Sequence, residues 1–296
     1  MNKFFRILFI NIFIICILIF TTEFICIYLY GKVVNNDVFH FKTHILRAIK
    51  SYTNNSYFQE SDFRKSTIKM SDKKPIAIMG CSYAYGLGLK EEETLSTILS
   101  NLTNRSVYNL GVIATSPREI LYILRNNELR TKLLNNETNL EYIIYPYISH
   151  HKFRLYTDIK PFTYSPYFKQ TENGLEYYEN NNFWVKTYTY KKFLDLKSNQ
   201  INEEEAFQLI CLYLKEINEE IKKHFPSAKF VILIYEDYLN KNWGSLEEED
   251  IIIVKVKDLL DIDVKSLQYT ISPTDVHPNA KAWQIITPEL VKKLNL

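Results

Sequence analysis

The chain has 296 residues, of which 36 are basic and 34 are acidic, so its formal net charge is only +2. This balance lacks the basic stripe through which proteins contact nucleic acid, so we predict no nucleic-acid partner. The four cysteines, Cys16, Cys26, Cys81 and Cys211, have no spacing typical of a metal site or a disulfide framework. The cysteines therefore predict no metal site, and the sequence implies no cofactor either.

The amino terminus carries a long apolar segment. Between residues 7 and 30 the only charged side chain is Glu23, and a helix needs roughly 20 apolar residues to cross a bilayer core. A cleaved signal peptide would have a shorter apolar region and a small-residue cleavage site, and neither is present. We predict a cytoplasmic tail at residues 1–6, a transmembrane anchor at 7–30 and a juxtamembrane segment at 31–73.

From residue 74 onward, short apolar runs alternate with amphipathic stretches. Runs such as "PIAIM", "SVYNLGV" and "LEYIIYPYI" indicate buried strands, whereas "EEETLSTILSNL" and "SPREILYILRNNEL" have helical spacing. This alternation predicts an α/β domain over residues 74–296, with a mainly parallel sheet covered by helices on both faces. Such a sheet places its functional groups beyond the carboxyl ends of its strands.

Residues 152–199 interrupt this alternation. They are rich in aromatic and turn residues and show no helical period. A long segment of this kind after the carboxyl end of a strand is typical of a lid or a substrate-shaping loop. A hairpin without a function of its own fits the same composition.

A candidate nucleophile follows the first strand. The chain has only 7 glycines, yet three of them fall within "GCSYAYGLGL", where small residues allow a sharp turn that exposes Ser82. A serine needs a base to take its proton and an acid to orient that base. His277 in "PTDVHPN" has the carboxylate of Asp275 two positions away. The sequence thus predicts a triad of Ser82, His277 and Asp275, against the plainer interpretation of a turn with a capping serine.

Three blocks in the chain resemble the SGNH, or GDSL-type, hydrolase superfamily. They are "IMGCSYAYGLGL", "VYNLGV" and "PTDVHPN", in that order, and the chain is similar to membrane-anchored bacterial members. The resemblance implies a flavodoxin-like three-layer sandwich with a mainly parallel sheet, preceded by one transmembrane helix. It also implies an oxyanion hole formed by the backbone N–H groups of Ser82 and Gly111. Asp275 lies two residues before His277, whereas the family usually has three.

The family's third block, usually Gly-x-Asn-Asp, is missing, and "YPYISHHKFR" stands in its place. Relatives with His-x-x-Arg at this point imply that His151 and Arg154 bind substrate. The oxyanion donor that the missing Asn would supply could come from His151, from Ser149 or from another group. The alternative is that His150 and His151 are an exposed polar pair at a strand end.

The resemblance implies a serine esterase or acyltransferase that acts through an acyl-serine on O-acyl groups, chiefly acetyl, of a cell-surface glycan. Its partners would be an ester-bearing carbohydrate, the membrane and polysaccharide-assembly proteins. The protein would be a single-pass cell-membrane protein with its catalytic domain outside the cytoplasm. Lys3 and Arg6 favour this orientation, but four cations beyond the span oppose it: Lys32, Lys42, Arg47 and Lys50.

Two other functions fit the sequence. A catalytically silent module of the same fold could bind surface polysaccharide, and the missing third-block Asn favours it. A structural envelope protein could depend on its anchor more than on its pocket.

Overall fold

A computed structural model describes residues 62–156, 167–172, 174–178, 202–236 and 242–296, together with Ile14, Ile17, Leu18 and Thr21, which are helical. The chain divides into two compact units. The larger unit, which carries the fold described below, comprises Phe58–Asp158, Pro166–Glu179 and Ile201–Leu296.

The predicted amino-terminal segments fall mostly outside the described residues. Of the anchor at residues 7–30 only the four helical residues just named are described, and the juxtamembrane segment is described from residue 62. In the part of the chain that the structure describes, no helix is both long enough and apolar enough to span a membrane.

A five-stranded sheet forms the centre of the larger unit. Its strands, in spatial order, are β2 (Val107–Gly111), β1 (Ile76–Gly80), β3 (Tyr142–Tyr147), β6 (Lys229–Ile234) and β7 (Ile252–Lys255), and every adjacent pair is parallel. This order has the 2-1-3-4-5 pattern of a doubly wound, flavodoxin-like sheet, whose switch point lies between β1 and β3. The prediction of an α/β domain with a mainly parallel sheet is confirmed.

Helices and two antiparallel hairpins complete the described unit. The hairpins are β4–β5 (Tyr167–Thr171 and Gly174–Tyr178) and β8–β9 (Thr270–Ser272 and Asp275–Pro278). The α-helices are α1 (Ser82–Tyr85), α2 (Leu95–Thr103), α3 (Pro117–Arg125), α4 (Asn127–Leu133), α5 (His150–Tyr156), α6 (Glu203–His224), α7 (Gly244–Glu247), α8 (Val256–Leu259) and α9 (Ala280–Leu294).

Both faces of the sheet are covered. Alternate strand residues such as Ile76, Ile78 and Val231 join one apolar cluster with residues of α2 and α9, among them the fully buried Trp283. The intervening strand residues point the other way, since side chains alternate along a strand. Helices α3 and α6 pack against each other on that opposite face. All residues of β1, β2 and β3 are buried, as expected for a sheet between two helical layers.

The interrupting segment, residues 152–199, is described only in part. Its described residues are the end of α5 and the hairpin β4–β5. Phe168 and Leu175 of this hairpin are buried, and the Phe168 ring meets Tyr213 of α6 edge-on. A hairpin therefore exists here, and its function as a lid stays a prediction.

Gly111 is required where α1 crosses β2. A Cβ added at Gly111 would lie 2.3 Å from the Tyr85 backbone nitrogen, and a backbone atom cannot move aside as a side chain can. We expect Gly111→Ala to lower the free energy of unfolding by roughly 1–3 kcal/mol, measured by urea denaturation. Gly244→Ala is the control, because its Cβ would meet only a side-chain oxygen, that of Asn242. Equal stability of both variants would contradict the close packing of α1 on β2.

Candidate active site

Ser82 begins α1, directly beyond the carboxyl end of β1. The chain leaves β1 through Gly80, whose φ of 152° is one that L side chains rarely adopt. Gly86 ends α1 in the left-handed conformation, and its N–H donates to the Ser82 carbonyl. The unusual concentration of glycine therefore produces a sharp strand-to-helix turn, as predicted.

The structure brings Ser82, His277 and Asp275 together across 195 residues of sequence. The Ser82 Oγ lies 2.8 Å from His277 Nε2, and His277 Nδ1 lies 2.5 Å from Asp275 Oδ1. Because a carboxylate only accepts hydrogen bonds, Nδ1 carries the ring proton and Nε2 accepts from the serine hydroxyl. This is the arrangement of a nucleophile, a base and an orienting acid.

The short Asp-to-His spacing has a structural reason. Asp275 and His277 both lie in β9, and residues two apart on a strand point to the same face. The intervening Val276 points to the opposite side and is 47% exposed. Asp275 Oδ1 also accepts from the His277 backbone N–H at 3.1 Å, so one oxygen holds both the backbone and the ring.

Asn279 secures the hairpin that carries the histidine. Its side-chain amide donates to the carbonyls of Gln268 and Thr270, at 3.0 and 2.9 Å. Its Oδ1 accepts from the Ala282 N–H and so caps the start of α9. One side chain therefore connects the open end of the β8–β9 hairpin to the final helix.

Tyr83 connects the nucleophile helix to the same hairpin. Its hydroxyl donates to the Val276 carbonyl at 3.2 Å, and its ring centroid lies 5.2 Å from that of His277. Burial raises the pKa of Tyr83 far above its ordinary value, and the charge of Glu236 adds to this effect. The hydroxyl is therefore a neutral donor throughout the physiological pH range.

Removing the Tyr83 hydroxyl should make the position of His277 relative to Ser82 less well fixed. Tyr83→Phe keeps the ring and loses one hydrogen bond, so we expect Ser82 to react with a fluorophosphonate roughly 3- to 10-fold more slowly. Tyr142→Phe is the matched control, because it removes a tyrosine hydroxyl that donates to the Leu294 carbonyl at the other end of the sheet. Equal rates for the two variants would show that Tyr83 does not hold the hairpin.

The two predicted oxyanion donors differ in their surroundings. The Gly111 N–H donates to Asn109 Oδ1 at 3.0 Å, and the Asn109 amide is held by Ser96. The role of Gly111 as an oxyanion donor stays a prediction, and it requires this hydrogen bond to open. The Ser82 N–H lies in the first turn of α1, where a helix offers no carbonyl acceptor.

His151 is buried in the core, and its predicted contact with substrate stays a prediction. It is 0% exposed, its Nδ1 lies 2.6 Å from the Tyr145 hydroxyl, and the same nitrogen accepts from the Ile148 N–H at 3.4 Å. Burial raises the pKa of Tyr145 well above its ordinary value, so this hydroxyl stays protonated. The ring also meets Tyr147 edge-on. The position is set by α5, which begins at His150 and turns the next side chain inward.

Arg154 lies near the predicted rim but binds the backbone. Its guanidinium donates to the Thr115 carbonyl at 2.7 Å, and the Thr115 hydroxyl contacts the carbonyls of Gly80 and Val112. Arg154 therefore supports the loop beyond β2 and, through it, the turn before Ser82. Its contact with substrate stays a prediction.

Two neighbours of the triad had not been predicted from the sequence, namely Tyr83 and Glu236. Glu236 Oε2 lies 3.4 Å from the hydroxyl of Ser149, which occupies the place of the missing third block. Glu236 follows β6, so the rule that sites lie beyond the carboxyl ends of strands could have identified it. Within the described ranges, no group of three or more His, Cys, Asp or Glu side chains could hold a metal ion.

Comparisons with known proteins give low similarity throughout. No protein family model matches the sequence, and no curated protein matches it either. An acetyl xylan esterase from the rumen bacterium Butyrivibrio proteoclasticus is 12% identical, with a TM-score of 0.47 over 76% of this chain and 64% of that one. An extracellular lipase from Streptomyces rimosus is 9% identical, with a TM-score of 0.43 over 74% and 99%. The salicylyl-acyltransferase of a tetracycline biosynthetic pathway is 11% identical, with a TM-score of 0.41 over 77% and 56%. Similarities at this level do not decide the function, which has to be inferred from the site geometry.

Proposed function

We propose that the protein is an ester hydrolase or O-acyltransferase of the SGNH type that forms an acyl-serine at Ser82. The observation that carries this proposal is the continuous hydrogen-bonded chain from Asp275 through His277 to Ser82. It stands at the edge of the parallel sheet where such folds place their chemistry. The three motif blocks that resemble SGNH hydrolases support the same reaction class.

The geometry permits a two-step reaction. His277 Nε2 takes the hydroxyl proton as Ser82 Oγ attacks the ester carbonyl, and Asp275 stabilises the imidazolium that results. Nε2 then returns the proton to the departing alcohol, which leaves the acyl group on Ser82. Water or a second alcohol attacks this acyl-serine with His277 again as the base, which releases the acid or the new ester and restores the serine hydroxyl.

The substrate that we propose is an O-acetylated carbohydrate of the cell surface, a step supported by the resemblance to anchored SGNH proteins. The experiment is release of acetate from an O-acetylated surface glycan by the purified protein, with Ser82→Ala as the control. Acetate should appear with the wild type only. If the wild type releases acetate from simple esters but not from the glycan, the reaction class stands and the substrate is wrong.

We also propose that residues 7–30 anchor the protein, with the catalytic domain outside the cytoplasm. The support is the apolar run of these residues, which only Glu23 interrupts. Protease added to intact spheroplasts should digest the domain. Protection that persists until lysis would refute this orientation.

A catalytically silent polysaccharide-binding module is the second candidate. Two observations favour it, because His151 is buried away from the site and the Gly111 N–H already has an acceptor. Losing a single oxyanion donor costs roughly 10²- to 10³-fold in rate. A silent module would bind the glycan without reacting with a fluorophosphonate at Ser82.

A further inference from the structure

A second carboxylate, Glu236, lies buried near Tyr83, the residue that follows Ser82, and takes no part in the triad. It is two residues beyond the end of β6, at the same edge of the sheet as Ser82, and only 7% exposed. Burying a charge is costly unless hydrogen bonds or an opposite charge compensate it. The partners of this carboxylate therefore indicate whether it serves the fold or a ligand.

The chain satisfies Glu236 poorly. Its two oxygens lie 3.5 Å from the Tyr83 hydroxyl and 3.4 Å from the Ser149 hydroxyl. Hydroxyl groups that donate to a carboxylate normally approach to about 2.5–2.7 Å. Among the residues described, no Lys, Arg or His forms an ion pair with Glu236. Neither contact is close enough to compensate the buried charge.

One of these two donors is also committed elsewhere. A tyrosine hydroxyl has a single hydrogen to donate, and the Val276 carbonyl, at 3.2 Å, is nearer to Tyr83 than the carboxylate is. Tyr83 therefore holds the hairpin rather than the carboxylate. Glu236 keeps a strong accepting capacity at the edge of the sheet that carries Ser82.

We propose that Glu236 accepts a hydrogen bond from a hydroxyl group of the alcohol part of the ester, which makes the favoured substrate an ester of a polyhydroxylated alcohol. This inference rests on the proposed esterase or acyltransferase function. The site would then discriminate between esters with and without such a hydroxyl, because an ester that lacks it leaves the carboxylate uncompensated. Sites built around buried polar groups reject analogues that cannot pair with those groups. The hydroxyl of Ser149 flanks the carboxylate and faces the same alcohol.

The test measures the hydrolysis of three acetate esters by the full-length protein. Glycerol monoacetate carries free hydroxyls and ethyl acetate has none. Acetylcholine carries a positive charge but no hydrogen-bond donor. Glu236→Gln keeps the size of the side chain and an accepting oxygen for Tyr83 and Ser149 while removing the charge. We expect kcat/KM for glycerol monoacetate to fall roughly 10- to 100-fold. For ethyl acetate it should stay within about twofold of wild type, since no hydrogen bond is lost.

Two further variants serve as controls. Glu236→Asp keeps the charge but shortens the side chain, and it should lie between the wild type and Glu236→Gln on glycerol monoacetate. Glu289→Gln removes a carboxylate of α9 that pairs with Lys292, and it should leave all three rates unchanged. Thermal midpoints of all variants show whether a loss of activity reflects unfolding.

Each outcome decides the inference. A Glu236→Gln variant that lowers the rates for glycerol monoacetate and ethyl acetate equally would assign Glu236 to positioning of the base and overturn the proposal. A variant equal to the wild type on all esters, or one impaired only with acetylcholine, would also overturn it. A wild type that hydrolyses none of the three esters would instead refute the proposed function, on which the inference depends.

Discussion

Ser82→Ala is expected to lower kcat for p-nitrophenyl acetate by at least about 10³-fold, because it removes the hydroxyl that would carry the acyl group. Ser82 is only 3% exposed, and its Oγ already lies 2.8 Å from the base, so the substitution removes one atom and leaves the turn intact. The thermal midpoint should therefore change little. The measurement is release of p-nitrophenol under steady-state conditions.

Ser100→Ala is the matched control for this variant. Ser100 is also buried, in α2, and its hydroxyl donates to the Arg105 carbonyl at 2.7 Å, away from the triad. This variant should lose stability and keep its turnover. A Ser82→Ala enzyme with the turnover of the control would exclude Ser82 as the nucleophile.

His277→Ala is expected to lower kcat by about 10³- to 10⁴-fold, because the serine loses the group that takes its proton. Asp275→Asn should also cost much of the activity, since the amide cannot favour the tautomer that leaves Nε2 as an acceptor. Residues that act as one unit are not additive, so the Ser82→Ala/His277→Ala double variant should be no slower than Ser82→Ala alone.

His224→Ala controls for the loss of a histidine. His224 lies at the end of α6, where it pairs with Glu220, and the variant should keep wild-type turnover. A His277→Ala enzyme with normal turnover, or a double variant in which the two effects multiply, would show that another base serves Ser82.

The sequence was sufficient to predict the sheet and to select the three residues that the structure brings together, because both depend on local patterns. Short apolar runs of strand length that are bounded by turn residues are typical of buried strands, and the turn after β1 needs the small residues that surround Ser82. The two-residue spacing of Asp275 and His277 looked like a departure from the family. It is what a strand requires, since alternate residues share a face.

The roles of His151 and Gly111 were beyond the reach of the sequence for a physical reason. Whether His151 faces the rim or the core depends on where α5 begins and on how Tyr145 packs beneath it. The Gly111 N–H donates to the side chain of Asn109, two residues earlier. The sequence alone does not show whether the Asn109 side chain turns toward that N–H or leaves it free. Long-range packing sets both orientations. Glu236 was missed because a polar residue after a strand ordinarily indicates a turn.

The most direct measurement of the central claim is the site of covalent modification by a fluorophosphonate, located by mass spectrometry of proteolytic peptides. If Asp275, His277 and Ser82 work as their hydrogen bonds indicate, the wild type takes up one label, on Ser82. His277→Ala should take it up far more slowly, and Ser82→Ala not at all. A label on another residue, or an unlabelled Ser82 in a protein that still hydrolyses esters, would contradict the assignment of this triad.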